Sequence, residues 1–190
     1  MSPLDTFRHL RPIPPGRAAL FLDRDGVIIR DTGYVALPED VDLLPGAAEA
    51  IGAMNAAGWP VIVVSNQSGL GRGYFDRAAL EAVQARVEVR LSALGARLDA
   101  VLICGAAPGE TGPASAWRKP EPGMLLAARD RFALDLPNSV MIGDRDTDMR
   151  AARAAGVERR ILLAESGEAA THRARDLLCA VRAITAFALG

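Results

Sequence analysis

The chain has 190 residues, half of them hydrophobic, with 22 basic residues against 23 acidic ones and a net charge of −1. That size and composition suit one globular domain with a sizeable core rather than a disordered segment. The balanced charge, with no basic stripe or tail, argues against nucleic acid or an anionic membrane as the main partner, and the apolar runs fall far short of a membrane span.

Residues 1–17 hold Asp5, three arginines and three closely spaced prolines, with no apolar signal-peptide core. They are expected to form a loose or extended leader to a single domain over residues 18–190. Apolar runs then predict strands at Ala18–Leu22, Val61–Ser65, Ala100–Cys104, Ser139–Gly143 and Arg160–Leu163. Between them Gly46–Ala57, Asp76–Leu94, Gly123–Phe132 and Asp146–Ala155 predict helices, with Asp76 as an N-cap and Gly58, Gly95 and Gly156 as stops. Runs as continuously apolar as Val61–Val64 predict strands buried on both faces, hence an α/β, Rossmann-like, doubly wound parallel sheet. The irregular stretch Gly105–Trp117 is too long for an ordinary connection, which points to a functional or mobile loop. Gly69–Gly73 lacks the Lys-Ser/Thr of a phosphate-binding P-loop and reads as a flexible loop. Glu168–Leu189 reads as a terminal helix without evident chemistry. Two widely separated cysteines, Cys104 and Cys179, make no disulfide framework and fit a reducing cytoplasm.

In such sheets ligands bind outside the carboxyl ends of the strands, so the polar residues that end the apolar runs matter together. The first run ends in Asp23-Arg24-Asp25-Gly26, the second in Ser65-Asn66-Gln67-Ser68, and the fourth in Gly143-Asp144-Arg145-Asp146, while Arg118-Lys119-Pro120 lies between the third and fourth. Asp-x-Asp-Gly alone is also turn composition, and residues two apart share a side only if the chain is extended there. The four segments together match the needs of phosphoryl transfer to a carboxylate. Asp23 would be the nucleophile and Asp25 the acid/base, with Ser65 and Lys119 holding the phosphoryl oxygens. Asp23, Asp25 (through its backbone carbonyl) and Asp144 would hold Mg²⁺, which offsets the clustered negative charge. Asp148, one helical turn after Asp144, reads equally as a holder of a metal-bound water or as a solvated helix residue. Asp31-Thr32-Gly33-Tyr34 reads equally as a flap or a surface turn. His9 and His172 lie away from every strand end, which argues against histidine-based hydrolysis. Lys119 is the single lysine among the 22 basic residues. A compact ammonium suits a tight phosphate site better than a planar guanidinium does.

In these segments, from about Ala19 to Leu163, the chain resembles the haloacid dehalogenase (HAD) superfamily of aspartate-nucleophile phosphatases. Phe-Leu-Asp-Arg-Asp-Gly, Val-Ser-Asn-Gln-Ser-Gly, Arg-Lys-Pro-Glu-Pro-Gly-Met and Ile-Gly-Asp-Arg-x-x-Asp-Met stand in that family's order. The small-cap subgroup of heptose-bisphosphate and histidinol-phosphate phosphatases is the most similar, and Asp31-x-Gly33-Tyr34, Asn66-Gln67-Ser68 and Arg118-Lys119 favour the heptose branch. The resemblance implies a minimal cap made of loops and the same roles for Asp23, Asp25, Ser65, Lys119 and Asp144. It further implies substrate contacts from Asp31, Thr32, Gly33, Tyr34, Asn66, Gln67, Ser68 and Arg118. The implied activity is Mg²⁺-dependent hydrolysis of a sugar phosphate, most simply at C7 of a heptose 1,7-bisphosphate, by a cytoplasmic monomer.

The subgroup often carries a structural zinc on Cys-x-His and Cys-x-Cys, where this chain has Cys104, Ala106, Ser115 and Trp117. One thiolate cannot build a tetrahedral site, so no zinc is expected, and the 105–117 loop must be held by packing, with Trp117 the candidate. Two alternatives come from outside the heptose branch. A histidinol-phosphate or other small phosphomonoester phosphatase shares the chemistry. A phosphoaspartate receiver also combines carboxylates, Ser/Thr and Lys, but it lacks an acid/base two residues after its phosphoacceptor.

Overall fold

Along each central strand, alternate residues enter different cores, because both faces of the sheet are covered. Leu20, Leu22, Val61, Val63, Val101, Ile103, Val140 and Ile142 pack on one side, while Phe21, Ile62, Val64, Leu102 and Met141 pack on the other. In the computed structural model, which describes residues 5–188, seven strands form one sheet. These are β1 (Asp5–His9), β2 (Leu20–Leu22), β3 (Val61–Asn66), β4 (Ala100–Cys104), β5 (Val140–Gly143), β6 (Arg159–Leu162) and β7 (His172–Arg173), in the order β1-β4-β3-β2-β5-β6-β7. All neighbours are parallel except β1, which runs antiparallel to β4.

Helices α1 (Ala47–Ala56), α3 (Arg77–Ala93) and α6 (Leu177–Ala188) supply apolar stripes to the first core, among them Ile51, Met54, Leu80, Val87 and Val181. The short α2 (Ser68–Gly71) follows β3, while α4 (Gly123–Phe132) and α5 (Asp146–Ala154) cover the opposite face through Met124, Leu125, Ala128 and Met149. Asp76 caps α3 by accepting the Ala79 N–H at 2.8 Å, which satisfies one of the amides a helix start leaves free. No helix among the described residues is long and apolar enough to cross a membrane. From the central β2 the chain steps to β3 and β4 on one side, then returns to β5 and β6 on the other. The crevice where that order reverses, at the carboxyl ends of β2 and β5, is where open sheets of this type bind ligands.

Three local expectations change. Within the expected leader, Asp5–His9 joins the sheet as an edge strand, so the sheet begins before residue 18. Thr6 is buried, Phe7 stacks on Phe132 at 5.8 Å between ring centroids, and Arg8 pairs with Glu88 at 3.2 Å. Gly69–Gly73 is a packed helical turn rather than a flexible loop, tied down by Gly71 N–H to Gly105 O (2.9 Å) and Tyr74 N–H to Gly69 O (2.8 Å). Finally, His172 lies in edge strand β7 instead of the terminal helix, which begins at Leu177.

Candidate active site

Every strand end singled out above opens into one cavity of about 470 Å³, lined by Asp23, Asp25, Asp31, Gly33, Tyr34, Ser65, Asn66, Gln67, Ser68, Arg118, Lys119 and the 145–148 turn. Thr32 lies on the exposed side of its turn and does not line it. Lys119 sits at the back, 3% exposed; its ammonium donates to Val64 O at 2.8 Å and forms ion pairs with Asp23 Oδ2 at 2.9 Å and Asp148 Oδ1 at 2.6 Å. Two carboxylates face the ammonium, so the buried charge is paired. Burial pushes the Lys119 pKa down, but Asp148 and Asp23 more than reverse this and leave it raised. Asn66 fixes the lysine from the backbone side. Its amide donates to Lys119 O at 2.9 Å and accepts the Lys119 N–H at 3.0 Å.

Asp23 is held from two directions, by the Arg24 N–H on Oδ1 at 2.7 Å and Lys119 on Oδ2. Its pKa is raised, chiefly by burial, with Asp148 adding repulsion against the pull of Lys119. One oxygen each of Asp23, Asp144 and Asp148 lie within 4.8 Å of one another. Asp144 is raised to about 7 by burial first, then by the Asp23 and Asp148 charges. Its Oδ1 is buried without a hydrogen-bond partner. A buried, unpaired carboxylate oxygen facing two more carboxylates is the donor set a hard divalent cation takes. Glycine makes room for it: a Cβ on Gly26, at φ +77°, would overlap the Asp144 carboxylate, and one on Gly143 would overlap Asp148. The Asp25 side chain stands outside this carboxylate cluster, engaged by Arg24 and Gln67.

The rim is roofed by two loops. Asp31 accepts the Gly33 N–H at 2.8 Å and pairs with Arg145 at 2.8 Å, which pins the 31–34 turn over the cavity. Tyr34 meets Tyr74 edge-on, 4.8 Å between centroids, which joins this turn to the loop after α2. That is the flap reading of the turn. Behind the rim, the 105–117 loop is held by buried Ala106 and Ala114, by the Cys104 thiol donating to Ala114 O at 3.4 Å, and by Arg118 donating to Ala106 O at 2.8 Å. Trp117 packs half-buried against the α4 side core.

The HAD-hydrolase-like family model matches residues 116–184. A D-glycero-beta-D-manno-heptose-1,7-bisphosphate 7-phosphatase from Mesorhizobium japonicum is 45% identical over 164 residues, covering 84% of this chain and 75% of that protein. The chain belongs to the HAD superfamily. Among solved structures, a HAD-like phosphatase from Mesorhizobium loti aligns with TM-score 0.85 and 38% identity, covering 96% of this chain and 95% of that one. The D,D-heptose 1,7-bisphosphate phosphatase of B. bronchiseptica, complexed with magnesium and phosphate, aligns with TM-score 0.83 and 31% identity over 90% of this chain and 99% of that one.

Within this HAD site two residues differ from the sequence reading. Asp148 is fully buried between Lys119 and the Arg145 N–H (3.0 Å), which excludes the solvated-helix alternative. Arg145 lines the cavity and bridges Asp31, a role the sequence reading did not assign. Its place directly after Asp144, at the same strand end, was the available signal.

The crowding of carboxylates makes a stability prediction. A carboxylate whose folded-state pKa is raised costs stability as pH climbs from its ordinary range through about 7. Asp144→Asn removes that charge at equal size. In chelator at pH 8 its melting temperature should exceed that of wild type by a few degrees, while the stabilisation by added divalent cation should vanish. A variant melting below wild type in chelator would show that Asp144 is held by favourable contacts.

Proposed function

We propose that this chain is a Mg²⁺-dependent phosphatase that removes the C7 phosphate of D-glycero-D-manno-heptose 1,7-bisphosphate through an aspartyl-phosphate intermediate. The carrying observation is one cavity that joins Asp23, Asp25, Ser65 and the buried Lys119, in a chain closely related to proteins of that name. Asp23 attacks phosphorus in line as the bond to the C7 oxygen breaks, and Asp25 gives its proton to the departing alkoxide. Water then attacks the acyl phosphate, Asp25 takes up the proton, and inorganic phosphate leaves with the Asp23 carboxylate restored. Lys119, with the Ser65 hydroxyl, holds the phosphoryl oxygens while charge redistributes. Mg²⁺ held by Asp23, Asp144 and the Asp25 carbonyl would offset repulsion between the nucleophile and the phosphate dianion.

The cavity volume suits a sugar bisphosphate. Arg118 and Arg145 on its rim are the cations available to the second phosphate. Asp31, Gly33, Tyr34 and Ser68 line the sugar's side. We infer a cytoplasmic monomer; the chain's two cysteines, Cys104 and Cys179, stand far apart in sequence, which fits a reducing compartment. Phosphate release with Mg²⁺ across both anomers of the heptose bisphosphate, histidinol phosphate and simple sugar phosphates tests the substrate. A preference for histidinol phosphate by kcat/KM would move the chain to the neighbouring branch.

The metal content is a separate prediction. Protein purified without added metal should hold no stoichiometric zinc, because Ala106, Ser115 and Trp117 offer Cys104 no ligand partners. Chelation should abolish activity, and Mg²⁺ alone should restore it. One tightly bound equivalent of zinc by elemental analysis would contradict this.

A further inference from the structure

Arg24 sits between the two site aspartates and touches both. Its backbone N–H holds Asp23, and its side chain turns back on Asp25, Nε to Oδ1 and Nη2 to Oδ2, both at 3.1 Å. The side chain is fully buried, whereas that of Asp25 is 21% exposed. Arg24 Nη1 is left without a hydrogen-bond partner. A buried guanidinium kept for packing or charge alone would be expected to satisfy its donors, yet here the fork on Asp25 is made while another donor goes unmet. From the opposite side, the amide of buried Gln67 donates to Asp25 Oδ2 and to Ser65 Oγ. Three donors thus occupy three of roughly four lone-pair positions on the carboxylate, leaving one for a proton.

We propose that Arg24 and Gln67 are positioning residues that lock the Asp25 carboxylate in the orientation from which it passes its proton to the leaving group. The inference rests on the reading of Asp25 as acid/base. Neither residue needs to touch the phosphate: the fork fixes the rotation of the carboxylate, and Gln67 couples it to Ser65. A lysine at position 24 keeps a buried positive charge but cannot make two parallel bonds.

The test compares leaving groups. In kcat/KM, which reports the first phosphoryl transfer, an alkyl substrate such as the sugar bisphosphate needs a proton on its departing oxygen. The aryl substrate p-nitrophenyl phosphate does not. Arg24→Lys should lose at least about tenfold on the alkyl substrate, within the range of general-acid effects, with KM little changed and the aryl substrate within a few-fold of wild type. Equal losses on both substrates, or none, would overturn the proposal, since a merely structural defect does not distinguish leaving groups. If a thermal melt shows Arg24→Lys unfolded, Arg24→Gln, whose amide cannot form the two-pronged contact with Asp25, carries the same comparison with the same outcomes. Asp25→Asn serves as the reference. If it shows the alkyl-selective loss and Arg24→Lys does not, the positioning role is wrong. If Asp25→Asn itself shows no selectivity, the acid/base reading fails and takes this inference with it.

Discussion

Asp23→Asn should abolish phosphate release from every phosphomonoester while leaving the fold in place. An amide cannot form the acyl phosphate, and the substitution also removes one of three clustered carboxylates. The fold should survive because Lys119 keeps Asp148 and Val64 O as acceptors, and the lost carboxylate was itself disfavoured by burial, its pKa being raised. Activity and a thermal melt on the same preparation check both halves. Native-like turnover in Asp23→Asn would move the nucleophile to another group; a collapsed melt would make Asp23 a structural residue first.

Lys119→Arg should be nearly as damaging to catalysis. The ammonium reaches three acceptors in three directions from a 3% exposed position. A planar guanidinium is larger and cannot aim its donors at Val64 O, Asp23 and Asp148 together. Loss of a well-placed transition-state donor costs about 10²–10³ in kcat, or roughly 3–4 kcal/mol. Burial adds a second consequence. Overpacking a closed site costs about 1–3 kcal/mol, so the melting temperature should fall as well. Arg86→Lys and Arg153→Lys, both on exposed helix faces, should be silent in both measurements. A Lys119→Arg enzyme within a few-fold of wild type would make the lone lysine a matter of composition.

The sequence alone determined the parts that depend on local pattern. Continuous apolar runs marked five of the six parallel strands to within about two residues, all but the two-residue β7, because strands covered on both faces have no polar side to interrupt them. Asp23, Ser65, Lys119 and Asp144 could be read as one site because strands in a doubly wound sheet bring their carboxyl ends to one rim. Strand β1 was illegible. Asp5–His9 has no apolar run, and what makes it a strand is pairing with β4, nearly a hundred residues away.

What each polar side chain does within the site was decided by tertiary structure. Asp148 reads equally as a holder of a metal-bound water or as a solvated helix residue until Lys119 is placed 2.6 Å from it. Asn66 and Gln67, which the resemblance implies as substrate contacts, line the cavity with their amides engaged on Lys119 and on Asp25 with Ser65. Arg24 read as the spacer between two aspartates, but its side chain folds back onto the second. Sequence spacing sets which side of an element a residue can occupy; which acceptor its donors reach depends on segments that meet only when the sheet closes, where most buried polar groups find their partners.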